Sequence, residues 1–442
     1  MELDIICNIF KKLYNKYRML YSKKEIKTCL IISIFICYML ENKEKYNLKI
    51  SSILEKEILL ILAQKGRACD IEIEIINPIE MALNLKSHIS NVYRNFKMIK
   101  DCQFMEEIFR EVLNIDTKNP RLKEAIVEFI NLTLDKDEIK EGKSVNDLIA
   151  KIVNVKEGQK VLDNFAGIGQ TVMTAIKDKK QYIQLQEIDE EQCAIATILL
   201  VMEGYKNFKI LNTNSLIYLE REPFDLVISI PPLVLDTTEL GWRYGEKLYL
   251  RNKRDNWAGL NVSFESLPRY GTLITAVNTG ALTSTKKSDE YTRKELFRRG
   301  YIRTIIELPE KMMYGTNVKI SLLEINKFEY DETLLINLNS KYASKYLIKS
   351  PSTGLTEFTE QALDEILQLI RERKESEISR IIRKDEILDN DVLLPSLYMI
   401  QEEKYNHKDL YKMEKERKEL KEEAHILENE YIEILGKISR EE

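Results

Sequence analysis

The stretch VLDNFAGIGQT, residues 161 to 171, has the residue types and spacing of a ligand loop: a strand, a tight turn, then a helix start. Gly167 and Gly169 let the backbone turn sharply and approach a bound molecule where a Cβ would collide. Asp163 ends that strand, and Glu187 ends the next one, about twenty residues on. A carboxylate in that place accepts both hydroxyls of a ribose. The pattern points to a nucleoside cofactor, either S-adenosylmethionine (SAM) or NAD. The loop lacks the third glycine of GxGxxG, which favours SAM. A strand-to-helix turn with no ligand is the plain alternative.

A second stretch, Ser229-Ile230-Pro231-Pro232-Leu233, closes the apolar run FDLVISI. Its paired prolines hold a loop in one shape. The elements that position these residues alternate. Strand-like runs QKVLDNFA, YIQLQEI, FKILNTN, FDLVISIP, YGTLITAVN, IRTIIELP and KISLLEINK are mostly separated by helical patterns, notably Asp189 to Glu203 and Asp289 to Arg299. Apolar strands alternating with helices predict a parallel sheet covered on both faces. The short link KMMYGTNV predicts an antiparallel pair for the last two strands. The fold expected is α/β, a class I SAM-dependent methyltransferase with a Rossmann-like, mostly parallel, seven-stranded sheet.

Flanking regions differ in composition. Residues 1–137 are rich in Leu, Ile, Lys and Glu, with helical spacing in FMEEIFREVLNI and LKEAIVEFINLTL, and read as a helical domain. Residues 138–345 form the methyltransferase domain. Beyond about 345 the β pattern fades, so 346–442 reads as a helical tail. Within it TEQALDEILQLIRERKE is helical, ILDNDVLLPSLYM is an extended connector, and Lys404 to Arg440 is a charged helix with a coiled-coil seam. That seam suits a partner chain or a second copy in a homodimer, and equally a fold back onto its own protein.

Net charge is −5, from 67 basic and 72 acidic residues, which excludes a general basic field for gripping nucleic acid. DNA contact would need a local basic face or a partner. RNKRDNW and RKELFRRGYIR offer such faces, although a solvated surface is the commoner explanation; Trp242 and Tyr244 could stack on a base or anchor a loop. Six cysteines without a CxxC pair read as reduced cytoplasmic thiols, and the three histidines lie outside the central region. The apolar run TCLIISIFICYML is too short to span a bilayer, which takes ~20 residues, and reads as a core helix.

Four stretches resemble the modification subunit of type I restriction-modification systems, a family of N6-adenine DNA methyltransferases. DNFAGIGQT resembles that family's SAM loop DPxxGxGG. QEIDEEQCAIATILLVMEGYKNFKILNTNSL resembles the segment after it. YTRKELFRRGYIRTIIELPEKMMYGTNVKISLLEINK resembles its late block, and ISRIIRKDEILDNDVLLPSLYM its connector. The resemblance covers about residues 138 to 400. It implies SAM at Asp163, Phe165, Ala166, Gly167, Gly169, Glu187, Ile188 and Asn214, and specificity and nuclease subunits docking on the C-terminal helix.

The resemblance also exposes departures. The family's fourth strand ends in Asn-Pro-Pro-aromatic. The Asn oxygen and a backbone carbonyl accept the two hydrogens of the target amine, and the aromatic stacks on the flipped base. Here the positions are Ile230, Pro231, Pro232 and Leu233. Isoleucine accepts no hydrogen bond, and a missing polar partner of this kind can cost a factor of about 10⁴. The lost stack costs a further ~1–3 kcal/mol. The family's Asp before Ser-Leu is Asn214, and its Phe/Tyr-Thr-Pro segment is replaced by EGKSV at Glu141 to Val145. The last two departures predict a cofactor site that is retained but weakened, and the first two predict disabled base chemistry; a diverged enzyme that uses the Pro231 carbonyl as acceptor is the alternative.

Overall fold

The computed structural model describes residues 2–48, 55–134, 140–218, 222–238, 253–388, 391–399 and Leu427. The charged helix expected over Lys404 to Arg440 falls, apart from Leu427, outside the described residues, as do Trp242, Tyr244, Arg251 and Asn252. Among the described residues no helix is long and apolar enough to cross a membrane.

The N-terminal region is helical, as its spacing predicts. α1 (Glu2–Tyr17) turns Ile6, Ile9, Phe10 and Leu13 inward. α2 (Lys23–Glu41) contains the apolar run and is buried on every side from Ile26 to Leu40, as a core helix must be. Its start is set by a reciprocal cap: the Ser22 hydroxyl accepts from Glu25 N, and the Glu25 carboxylate accepts from Ser22 N. α3 (Cys102–Val112) and α4 (Leu122–Leu132) pack on this pair. Tyr17 meets Phe104 edge-on at 4.9 Å, and Phe10 meets Phe129 at 5.3 Å.

The sheet is built from β1 (Val161–Asp163), β2 (Ile183–Glu187), β3 (Phe208–Asn212), β4 (Leu226–Ser229), β5 (Thr272–Asn278), β6 (Ile302–Glu307), β7 (Ile320–Asn326), β8 (Glu332–Asn337) and β9 (Ser379–Arg383). Their order is β3-β2-β1-β4-β5-β7-β6-β8-β9. β7 runs antiparallel between β5 and β6, as the short KMMYGTNV link requires. All seven expected strands are present in the class I methyltransferase arrangement.

The strand count needs a correction, because the sheet has nine strands among the described residues rather than seven. β8 adds parallel to β6, and β9 closes the edge antiparallel to β8, with Glu332 opposite Arg383 and Ile336 opposite Ser379. The β pattern therefore does not stop near 345. β9, SRIIR, was hidden by its two arginines, which face solvent while Ser379 and Ile382 are buried. Ahead of it, the TEQALDEILQLIRERKE helix forms over Glu360–Glu372.

Register places the carboxyl ends of β1, β2 and β4 level. Asp163 lies beside Leu185 on β2 and Ile228 on β4. Strand order reverses at β1, and the crevice above such a point is where ligands bind in open α/β sheets. α5 (Glu190–Glu203) follows β2, capped by Asp189, whose carboxylate accepts from Glu191 N at 2.8 Å. α2 and α4 pack against α5 and thereby join the helical region to the sheet: beyond α2 the Tyr46 hydroxyl donates to Val201 O at 3.1 Å, and Lys123 of α4 pairs with Glu203 at 2.5 Å. One apolar core runs through both regions.

Candidate cofactor and catalytic site

A cavity of about 620 Å³ opens above the β1 and β4 ends. Phe165, Ala166, Gly167, Glu187, Ile188, Asn214, Ile230, Pro231, Pro232 and Leu233 all border it. Two stretches about sixty residues apart, the glycine loop and the proline loop, thus share one chamber, because β1 and β4 are neighbours. Asp163 and Gly169 stand behind the lining and shape the loop rather than face the cavity.

The loop's geometry follows from its residue types. Asp163 is buried, and its Oδ1 accepts from Phe165 N at 3.0 Å, starting the turn. Gly167 and Gly169 take positive φ, +53° and +76°. A Cβ on Gly169 would stand 3.0 Å from Leu185 Cδ1. Glu187 binds the loop directly: its Oε2 accepts from Gly167 N and its Oε1 from Asp189 N, each at 2.9 Å. Asn214 turns its own loop, its Oδ1 accepting from Leu216 N at 3.0 Å. Ile188, 67% exposed, leaves an apolar side chain at the cavity rim.

Burial dominates the electrostatics. It pushes the Asp163 carboxyl well above the usual carboxylate range, and the neighbouring Glu141 and Glu187 push it further. Burial also raises Glu187, with Asp189 adding to the shift, although hydrogen bonds from Asp189 N and Gly167 N oppose it. Glu141 is raised by burial as well. It reaches the cavity because Lys140–Glu141 pair antiparallel with Met313–Tyr314, and Gly142 N donates to Met312 O at 3.0 Å. The EGKSV segment, which lacks Thr-Pro, therefore supplies a carboxylate to this chamber.

At the β4 end the side chains are of another kind. Ile230 is 8% exposed and belongs to the apolar core. Leu233 is half-buried and Pro232 exposed. Pro231 rests on α6 (Ala258–Glu265) where Gly259 leaves room; a Cβ there would stand 2.3 Å from Pro231 Cβ. Ser229 is buried, bonded to the Ser263 hydroxyl at 2.8 Å, and does not border the cavity.

Sequence reasoning missed the contribution of the helical region. Lys24, Lys27 and Thr28 of α2 border the cavity. Lys24 Nζ lies 2.5 Å from Asp189 Oδ2, and the Thr28 hydroxyl donates to Glu191 Oε2 at 2.8 Å. No local pattern joins residues this far apart. The basic stretch RKELFRRGYIR is engaged internally. On α7 (Lys287–Arg298) the buried Arg293 donates to the carbonyls of Asp391, Ala281 and Ser284. Arg299 pairs with Glu295 and Arg303 with Glu324.

The site fits a nucleoside with a sulfonium-bearing tail. The glycine cradle permits close approach, Glu187 stands where a ribose would lie, and buried carboxamide atoms of Asn164, Gln170 and Gln186 at the cavity have no partner among the described residues. Comparison with known proteins agrees. The family model for N-6 DNA methylases matches residues 141–408. The methylase subunit of the type I restriction enzyme MjaVII from Methanocaldococcus jannaschii is 24% identical over 423 residues, covering 82% of this chain and 70% of that one. The type I restriction-modification methyltransferase subunit of Streptococcus thermophilus has a TM-score of 0.69 at 15% identity, covering 89% of this chain and 99% of that one. A modification subunit from Vibrio vulnificus has a TM-score of 0.63 at 15% identity, covering 88% and 93%. At such identities the two structures speak for the fold alone.

Proposed function

Because this chain belongs to the N-6 DNA methylase family, whose cofactor is S-adenosylmethionine, we propose that it holds that cofactor in the β1–β2 crevice while its adenine chemistry is impaired. SAM supplies an electrophilic methyl group on its sulfonium. Toward it, Glu187 offers carboxylate lone pairs to the ribose hydroxyls, Ile188 an apolar face to the base, and Phe165 through Gly167 a close-fitting backbone. Asp163 and Gly169 hold that loop in shape, and Asn214 shapes the wall opposite.

The observation that carries the impaired reading is the placement of Ile230 and Leu233 at the same chamber as the cofactor loop. A target amine has its lone pair delocalised into the base, and needs acceptors for its hydrogens to free it. Neither side chain accepts a hydrogen bond or stacks as an aromatic ring would. The remaining acceptor there is backbone, such as the Pro231 carbonyl. A second reading is a pseudo-methyltransferase that serves as a binding subunit, favoured by the retention of the cofactor half without its catalytic counterpart. A methyltransferase acting on a substrate other than DNA is a variant of the first.

The division into a helical region (1–137), a methyltransferase region (138–345, with β9 added to its sheet) and a tail is part of this proposal. So are DNA and the specificity and restriction subunits as partners, the latter through the C-terminal helix. The M. jannaschii relative, by name one subunit of a restriction enzyme, supports such an assembly. The buried free thiols Cys29, Cys37 and Cys193 suit the cytoplasm. The test is a calorimetric titration with SAM, followed by labelled-methyl transfer to mixed-sequence DNA. Binding without transfer is expected. Transfer at rates normal for an enzyme, about 1 s⁻¹ or more, would overturn the impaired reading, and no SAM binding would overturn the cofactor site.

A further inference from the structure

The carboxylates around the chamber are not equally committed. Glu187 accepts from Gly167 N and Asp189 N, and Glu191 accepts from the Thr28 hydroxyl. Asp236 is exposed and accepts from Thr238 N at 2.9 Å. Glu141 differs: among the described residues, its own backbone N–H is the one donor to its carboxylate. The antiparallel pairing of Lys140–Glu141 with Met313–Tyr314 fixes its place, with Glu141 and Met313 opposite each other. Both border the cavity. A carboxylate fixed by strand pairing, at a cavity wall and without an outside donor, is available to take a proton from what enters.

The surroundings of Glu141 narrow what can enter beside a cofactor. Ile130, Leu134, Leu235 and Met313 border the same space, and the β4 end adds Ile230 and Leu233. An adenine brings ring nitrogens and a two-hydrogen amine, and burial against such side chains leaves those polar atoms unpaired. A phenol brings one polar hydrogen on an apolar ring. Its oxygen is a poor nucleophile until that hydrogen leaves, since a phenol of the tyrosine kind ionises only near pH ~10. A thiol needs less help, because it ionises at lower pH. At about 620 Å³ the cavity is within the range that holds one drug-sized ligand, so an acceptor beside the cofactor is small.

We propose that Glu141 is the general base for methyl transfer to a small phenol held beside it in the cavity. This rests on the SAM reading above and names a substrate class for its non-DNA variant. The phenol oxygen bonds to the methyl carbon as the sulfur–methyl bond breaks, and the electron pair of that bond stays on sulfur. The phenol proton passes to the Glu141 carboxylate. The sulfonium and carboxylate charges vanish together, leaving a thioether, a methyl ether and a neutral carboxyl. Burial raises Glu141, against its own N–H and Lys140, and Glu187 adds to the rise. A cationic cofactor favours the ionised form, so the base is readied when the cofactor is present. Glu141 stands in EGKSV, where the resembled family has Phe/Tyr-Thr-Pro, so the base belongs to this chain's own residues.

The test compares para-cresol with para-nitrophenol, which is largely ionised already in mildly alkaline buffer. Both are offered to the full chain with methyl-labelled SAM. Glu141→Gln should cut transfer to para-cresol by a factor of about 10²–10⁴, the scale of a general base, and transfer to para-nitrophenol far less. Glu141→Asp keeps a base one methylene further off and should lose less, again mainly with para-cresol; it carries the test if the glutamine variant does not fold. Binding is read without turnover by titrating para-cresol calorimetrically into chain saturated with sinefungin, an amine analogue of SAM with no methyl to give. There Glu141→Gln should weaken para-cresol about fivefold, since a charged acceptor makes a hydrogen bond about twice as strong as a neutral one. Equal loss with the two phenols, no loss, or no transfer to either by a wild type that binds SAM would overturn the base. A wild type that binds no SAM overturns the cofactor reading itself.

Discussion

The two ends of one cavity are built to different standards. At the β1–β2 end, Gly167 and Gly169 take a left-handed conformation that other residues avoid, a carboxylate is held by two backbone N–H groups, and three carboxamides keep unmade polar atoms at the chamber. At the β4 end, the same chamber is bordered by Ile230, a core residue, by Leu233, which packs against that core, and by the proline pair. Unmade buried polar atoms persist where a ligand compensates for them. An isoleucine that joins the core contributes to stability and asks for no ligand. On the proposed reading, the difference separates a site still shaped for binding from a loop kept for its packing.

The comparison is broken most directly by restoring the lost side chains. Ile230→Asn with Leu233→Tyr should raise methyl transfer to DNA about a hundredfold or more, the scale of one well-placed polar group in an active site. Labelled-methyl incorporation measures it. Unchanged transfer in a variant that still binds SAM would show that more than these two side chains separates the chain from an active enzyme.

Packing at the β4 end should yield to a smaller change. Gly259→Ala places a Cβ within 2.5 Å of two Pro231 atoms, so the proline loop or α6 must move. Overpacking of this kind costs ~1–3 kcal/mol, read as a lowered thermal midpoint. SAM affinity should fall less than stability, because Glu187 and the glycine loop lie on other segments of the chamber.

The smallest effect concerns protons at the other end. Burial raises Asp163, Glu141 and Glu187, so the folded chain keeps protons there that the unfolded chain has released. Their contribution to stability is therefore present at low pH and is lost as pH rises through the raised values. A cationic cofactor favours the ionised forms, so SAM binding should release protons in that window and tighten as pH rises through it. Titrations in two buffers of different ionisation heat measure the release. Heat independent of the buffer would show that these carboxyls do not feel the ligand.

Much of this could be read along the chain. The seven expected strands appear because each is a short apolar run bounded by turn residues, and α2 because its run is apolar all round. Glu187 was legible because its distance from the glycine loop is set by one strand-helix-strand unit. β8 and β9 were not legible. ETLLIN lies just past the last expected strand, and SRIIR is short and half charged; only pairing with each other and with β6 makes them strands. Asn164 and Gln186 were likewise silent, since a carboxamide in a strand carries no pattern until its neighbours are known.

By itself the sequence determined the fold class, the glycine loop, the acid Glu187 at the end of the second strand and the Ile-Pro-Pro-Leu end of the fourth, because these depend on residue type and on spacing within one βα unit. Tertiary structure alone decided what those residues meet. It brought Ile230 to the chamber of Gly167 by pairing β4 with β1, and Lys24 and Thr28 to its rim by packing α2 on α5. The physical reason is that hydrogen-bond satisfaction and burial are properties of a neighbourhood, and that neighbourhood is assembled from segments far apart in the chain.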